Sequence, residues 1–179
     1  TLATDSVVTG KIADGTIANA DIADLAASKL TGTVATARMP TGSVIQVVYN
    51  FSTSWNSGTD WVVSPCNATI TPTKATSKIV MLWDLPNNYK DVNADIRVRV
   101  KRNGTVVGDY YSTQGYSVYG YLISGRRFSI NHQAVDDSHS STSALTYTVE
   151  MKNSGEATLY CPYSTGRGTH SVILMEIEA

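Results

Sequence analysis

The stretch TGKIADGTIANADIA, residues 9 to 23, divides without remainder into TGKIA, DGTIA and NADIA, and this step limits the fold of the first part of the chain more than any other feature. Val7, Ile12, Ile17 and Ile22 stand five residues apart, and Gly10, Gly15 and Ala20 keep the same spacing. In an α-helix each residue turns by roughly 100°, so a step of five moves successive isoleucines by about 140° and no apolar stripe forms. In a strand an odd step sends them to opposite faces. The repeat must therefore contain its own turn. Gly10 and Gly15 supply turned backbone, and Asp14, Asn19 and Asp21 supply side-chain to backbone hydrogen bonds. One isoleucine in five residues cannot be buried by a single copy, whereas identical chains wound about a symmetry axis present matching apolar rows to one another. The expectation for residues 1 to 41 is a non-globular, intertwined shaft with Val7, Ile12, Ile17 and Ile22 facing the axis. A pentapeptide solenoid would use Ala20, Asp21 and Ile22 as its core triplet, but three repeats are too few to bury a solenoid core. A flexible linker would also suit the Ala, Thr, Asp and Gly content of residues 1 to 24.

The 179 residues suit one or two small domains, and a formal net charge of −1 gives no electrostatic case for nucleic acid or an anionic membrane. No apolar run approaches the ~20 residues of a membrane span, so no membrane insertion is expected. The opening TLATDS lacks the basic and apolar regions of a signal peptide. With no initiator Met, the chain is expected to be the ordered end of a longer protein. Cys66 and Cys161 are too few for a disulfide framework and lack CxxC or CxxH spacing. Two buried thiols are expected, although a single bridge between them is also compatible with the sequence. NAT at Asn67 and NGT at Asn103 match the glycosylation sequon, a match common by chance that matters only in a eukaryotic secretory pathway.

After residue 24 the repeat loses phase, and Pro40 and Gly42 punctuate a boundary, so a second domain is expected over 42–179. Its pattern is strands and turns. GSVIQVVYNF reads as a strand, SKIVMLWDL as a strand buried on both faces, and LTYTVEMK alternates Leu145, Tyr147, Val149 and Met151 with polar residues. Ile96, Val98 and Val100 alternate with Arg97, Arg99 and Lys101, and Asn103-Gly104 predicts a tight hairpin turn. SVILMEIEA reads as a final strand sealing the core. Eight or so short strands with no helical period predict an all-β fold, a C-terminal antiparallel β-sandwich that is jelly-roll-like.

The order of TGKIADGTIANADIA, KLTGTVATARMPTGSVIQ, TITPTKATSKIVMLWDL, VKRNGTVVGD, LTYTVEMKNSG and terminal SVILMEIEA resembles the distal part of bacteriophage tail fibres, in particular those of marine and cyanobacterial phages. The resemblance covers nearly the whole chain, and the order of the motifs is more telling than any one of them. It implies a homotrimer on the virion, joined to the rest of the tail fibre, whose shaft carries a β-rich knob that recognises a bacterial-surface glycan or protein receptor. Residues 105 to 143 depart most from that pattern.

Within residues 108 to 127 lie Tyr110, Tyr111, Tyr116, Tyr119 and Tyr121, half of the ten tyrosines, spaced by Gly and Ser. This is the composition of loop-based recognition surfaces, and sugar rings stack on such aromatic faces. Tyr110, Tyr111 and Tyr116 follow turn residues and are the leading receptor-binding candidates, whereas Tyr119 and Tyr121, two apart, suit one strand face in the core or an interface. Arg97, Arg99, Lys101 and Arg102, with Arg126 and Arg127, are six of fourteen basic residues. They suit an anionic polysaccharide or lipopolysaccharide phosphate, although such a row is more often only a solvated strand face. Asp91, Asn93 and Asp95 begin like a calcium loop, but Ile96 stands where the turn glycine belongs and Arg102 where the closing acid belongs, so a plain turn is expected. Asp136, Asp137, Ser138 and His139 have the residue types of a hydrolase triad without a nucleophile motif, and read as a polar loop. His132, His139 and His170 form no metal-ligand spacing. No catalytic residue, metal or cofactor is expected. The alternatives are a fibre-borne polysaccharide depolymerase, which would need paired carboxylates facing a groove, and a purely structural trimerisation or virion-decorating module.

Overall fold

A computed structural model of the chain describes residues 32, 35, 38–107, 117–122, 124–155, 157–163 and 168–179, with backbone alone for 117–121. The chain divides into two compact units, Thr1–Ala35 and Thr36–Ala179. The shaft positions Val7, Ile12, Ile17 and Ile22, and the loop tyrosines Tyr110, Tyr111 and Tyr116, lie outside the described residues.

The second unit is all strand: β1 Val44–Ser52, β2 Asn56–Gly58, β3 Val62–Ile70, β4 Lys78–Lys90, β5 Ala94–Arg102, β6 Thr105–Val107, β7 Ser117–Leu122, β8 Arg127–Asp136, β9 Leu145–Asn153, β10 Leu159–Cys161 and β11 His170–Ile177. Every pairing among the described residues is antiparallel. One sheet runs β1-β11-β4-β8, with β10 and then β2 alongside the far end of β4, and the other runs β3-β9-β5-β7, with β6 alongside the far end of β5. Setting aside the three-residue strands β2, β6 and β10, the remaining eight follow the jelly-roll order. The fold is therefore the all-β sandwich that the alternation predicts.

Alternation builds the core. Ile79, Met81, Trp83 and Leu85 of β4 and Val172 and Leu174 of β11 face Ile96, Val98 and Val100 of β5 and Tyr147, Val149 and Met151 of β9. Asn103 at φ 48° and Gly104 at φ 86° form the expected turn between β5 and β6, where left-handed backbone matches the strand twist. Pro65, which has no amide hydrogen to donate, sits where the register of edge strand β3 against β9 shifts.

One expectation is corrected. β4 is buried on one face only, because Val80 and Leu82 point away from the opposing sheet and remain partly exposed. The apolar continuity of SKIVMLWDL thus comes from two different surroundings, and its outward half has no covering layer among the described residues. Cys66 and Cys161 are both buried and free. Burial pushes the Cys66 thiol up to about 11 and raises that of Cys161 as well.

Candidate functional site

The longest strand, β4, carries a bulge. Leu85 pairs with Ile130 and Asn88 with Phe128, so one extra residue is accommodated at Pro86 and Asn87. Asn87 adopts φ 60°, left-handed backbone that Asn tolerates better than most residues. Gly168 packs against this kink so closely that a Cβ there would lie 2.8 Å from Asn87 Cβ and 3.3 Å from the Pro86 carbonyl oxygen. Below the kink, His170 Nε2 lies 3.1 Å from that same oxygen. A carbonyl only accepts, so Nε2 carries the proton and Nδ1 accepts from Ser64 Oγ at 2.9 Å. Burial lowers the pKa of His170 to about 4, which keeps this neutral tautomer at ordinary pH.

The bulge resets the alternation so that Tyr89 faces outward. Arg127 of β8, Tyr89 of β4, Tyr160 of β10 and Ser57 of β2 then form one register row across four strands. Tyr163 completes a cluster: its ring centroid is 4.6 Å from that of Tyr89 and 5.6 Å from that of Tyr160, and its amide donates to the Asn87 carbonyl at 2.9 Å. The Arg127 guanidinium lies 5.1 Å from the Tyr163 ring centroid. Beside them a depression of about 340 Å³ is lined by Pro86, Asn87, Arg127, Phe128 and Ser129. The arrangement presents flat aromatic surface next to amide, hydroxyl and guanidinium groups, a combination suited to stacking a sugar ring and bonding its hydroxyls.

The basic row occupies the outer face of the other sheet. Arg99 Nε and Lys101 Nζ donate to the two oxygens of Glu150 at 2.6 and 2.9 Å, and Arg99 stacks over Trp61 with its guanidinium carbon 3.9 Å from the ring centroid. Arg97 lies on the same face, opposite Lys152 of β9. Arg102 donates to Asp136 at 2.7 Å. Tyr119 and Tyr121 lie on β7, opposite Ile96 and Asp95. The structure thus groups Arg97, Arg99 and Lys101 on one sheet face, with Glu150 between the last two. It brings Arg127 to the tyrosines instead.

The other polar clusters are structural. Asp136 accepts from Ser138 N and Oγ and from the Tyr147 hydroxyl, while His139 turns to Ser77. Burial alone would raise the Asp136 carboxyl, but bonds from Tyr147, Ser138 and Arg102 outweigh it and hold the pKa below the ordinary value. Asp91 to Asn93 form the bend between β4 and β5, where Asn93 Oδ1 accepts the Ser124 amide at 2.6 Å. Among the described residues no three His, Cys, Asp or Glu side chains are grouped to hold a metal ion.

The sequence reading missed Tyr89, Tyr160 and Tyr163. They lie in NNYK and LYCPY, neither rich enough to stand out, and only the pairing of β10 with β4 unites them.

No protein-family model matches the chain, and no curated protein matches it. Among solved structures it is similar to a crystal structure of the insecticidal delta-endotoxin Cry8Ea1 from Bacillus thuringiensis, with a TM-score of 0.35 and 10% identity over 73% of this chain and 20% of the toxin chain. The chain spans about a fifth of that toxin's length, and a likeness of this size carries no functional argument.

Proposed function

We propose that the chain is the tip of a bacteriophage tail fibre, a homotrimer that attaches the virion to a bacterial-surface glycan without catalysing a reaction. Support comes from the five-residue repeat preceding a jelly-roll knob, and from the motif order described above. The observation that carries the binding reading is the cluster of Tyr89, Tyr160 and Tyr163 with Arg127 beside a solvent-facing depression. Aromatic and arginine side chains on a rigid sheet supply most of the binding energy in many recognition surfaces. Tyr110, Tyr111 and Tyr116 belong to the same proposal as a second candidate patch.

Two measurements on the full chain test it. Light scattering at micromolar concentration should give a trimeric mass, lost when Ile12, Ile17 and Ile22 are all replaced by Asp, since unpaired charge cannot be buried at an axis. Purified protein should also compete with phage for host cells. A monomeric wild type would end the trimer reading, and a trimer that does not compete would favour the purely structural module.

A further inference from the structure

The two outer faces of the sandwich differ in kind. That of the β3-β9-β5 sheet is polar, with Arg99 and Lys101 paired to Glu150 and Lys152 paired to Asp60. That of the β1-β11-β4-β8 sheet is apolar. Val47, Met175, Val80 and Val135 fall in one row across its four strands, and Tyr49, Ile173 and Leu82 in the next, which ends on the exposed Gln133. Val47, Tyr49 and Phe51 are 58%, 59% and 55% exposed, and the last two stack with ring centroids 6.1 Å apart. Charge flanks these two rows, with Lys78 beside Ile177 on one side and Asp84, in the row of Phe51 and Ser171, on the other, and Arg127 lies further along the same face. A contiguous exposed apolar area of this kind marks a contact surface.

We infer that this face is where copies of the same chain meet. The inference rests on the homotrimer reading and gives it a surface. Two features select a second copy as the occupant. The face is uncharged along its middle rows, so copies can turn it toward a common axis without burying charge, and it has nothing to direct a charged partner. The chain is also pinned at the start of β1, the strand that carries all three exposed residues: Gly42 N donates to Glu178 O at 2.8 Å and Glu178 N to Ser43 O at 2.9 Å. Residues 7 to 22, whose isoleucines one copy cannot bury, precede β1 in the sequence, so copies joined through them each carry β1 as the first strand that follows.

A thiol reporter tests this in the full chain. Val47→Cys places a thiol on the face, Asn67→Cys places one on the exposed side of β3, and both native cysteines are buried with raised pKa values. In a chain of trimeric mass, the Val47→Cys thiol should react with maleimide about tenfold or more slowly than the Asn67→Cys thiol. Tyr49→Cys, a second reporter, should behave as Val47→Cys does. Equal rates in a trimer would overturn this interface and leave the trimer intact. A monomer with both thiols reactive would remove the interface and the trimer together, and a protected thiol in a monomer would mean that the chain covers its own face, which also overturns the proposal.

Discussion

The imidazole of His170 holds the backbone of Pro86: Nε2 is 3.1 Å from the carbonyl oxygen, while Nδ1 reaches Ser64 Oγ on the opposite sheet. One side chain thus ties both sheets to the bulge that turns Tyr89 outward. His170→Leu would leave the Ser64 hydroxyl proton without its acceptor, although the oxygen still accepts the Cys66 amide, and would take the imidazole donor from the Pro86 carbonyl, at a cost of about 2–4 kcal/mol. Denaturant unfolding measures this, and a loss below about 1 kcal/mol would contradict the assigned role.

The same residue gives the protein an acid limit. His132 and His170 are buried, and burial lowers both to about 4 from an ordinary 6.5. In that window the unfolded chain binds the more protons, so stability is complete above 6.5 and falls as pH drops toward about 4. Each histidine should contribute a loss of roughly 2 kcal/mol between about pH 7 and about pH 5. Asp136 and Glu176, whose carboxyls lie below their ordinary values, extend the decline in stronger acid. A melting temperature unchanged across that range would refute the neutral, buried histidines.

Gly168 leaves no room for a methyl group against Asn87. Gly168→Ala should displace the bulge and cost about 1–3 kcal/mol, as overpacking does. It should also weaken any ligand that uses Tyr163, because Tyr163 hangs on the Asn87 carbonyl. Unaltered stability together with unaltered binding would mean that the kink does not position the cluster.

Trp83 is 2% exposed in the centre of β4, and Trp83→Ala should cost roughly 3–5 kcal/mol in thermal or chemical unfolding. A loss under about 1 kcal/mol would place its ring at the surface.

The fold was legible because alternation is a local property. Ile96 to Lys101 and Leu145 to Met151 state their faces in the order of their residues, and Asn103-Gly104 states its turn. The candidate site was not legible, because Tyr89 and Tyr160 meet only through strand pairing, and Pro86-Asn87 marks a break in the strand without saying which way Tyr89 then faces. The same limit explains the misreading of SKIVMLWDL: a row of apolar side chains does not say whether its outer half is covered by the rest of its own chain or by a neighbouring copy.

In the proposed reading Tyr163 and Arg127 bind glycan. The direct measurement titrates the full wild-type chain and the double variant Tyr163→Ala/Arg127→Ala over immobilised bacterial lipopolysaccharides and capsular polysaccharides. At least one glycan should be bound by the wild type and weakened about 30-fold or more in the variant, about 2 kcal/mol, with mass and melting temperature retained. A variant that binds as tightly as the wild type while folding normally would contradict it.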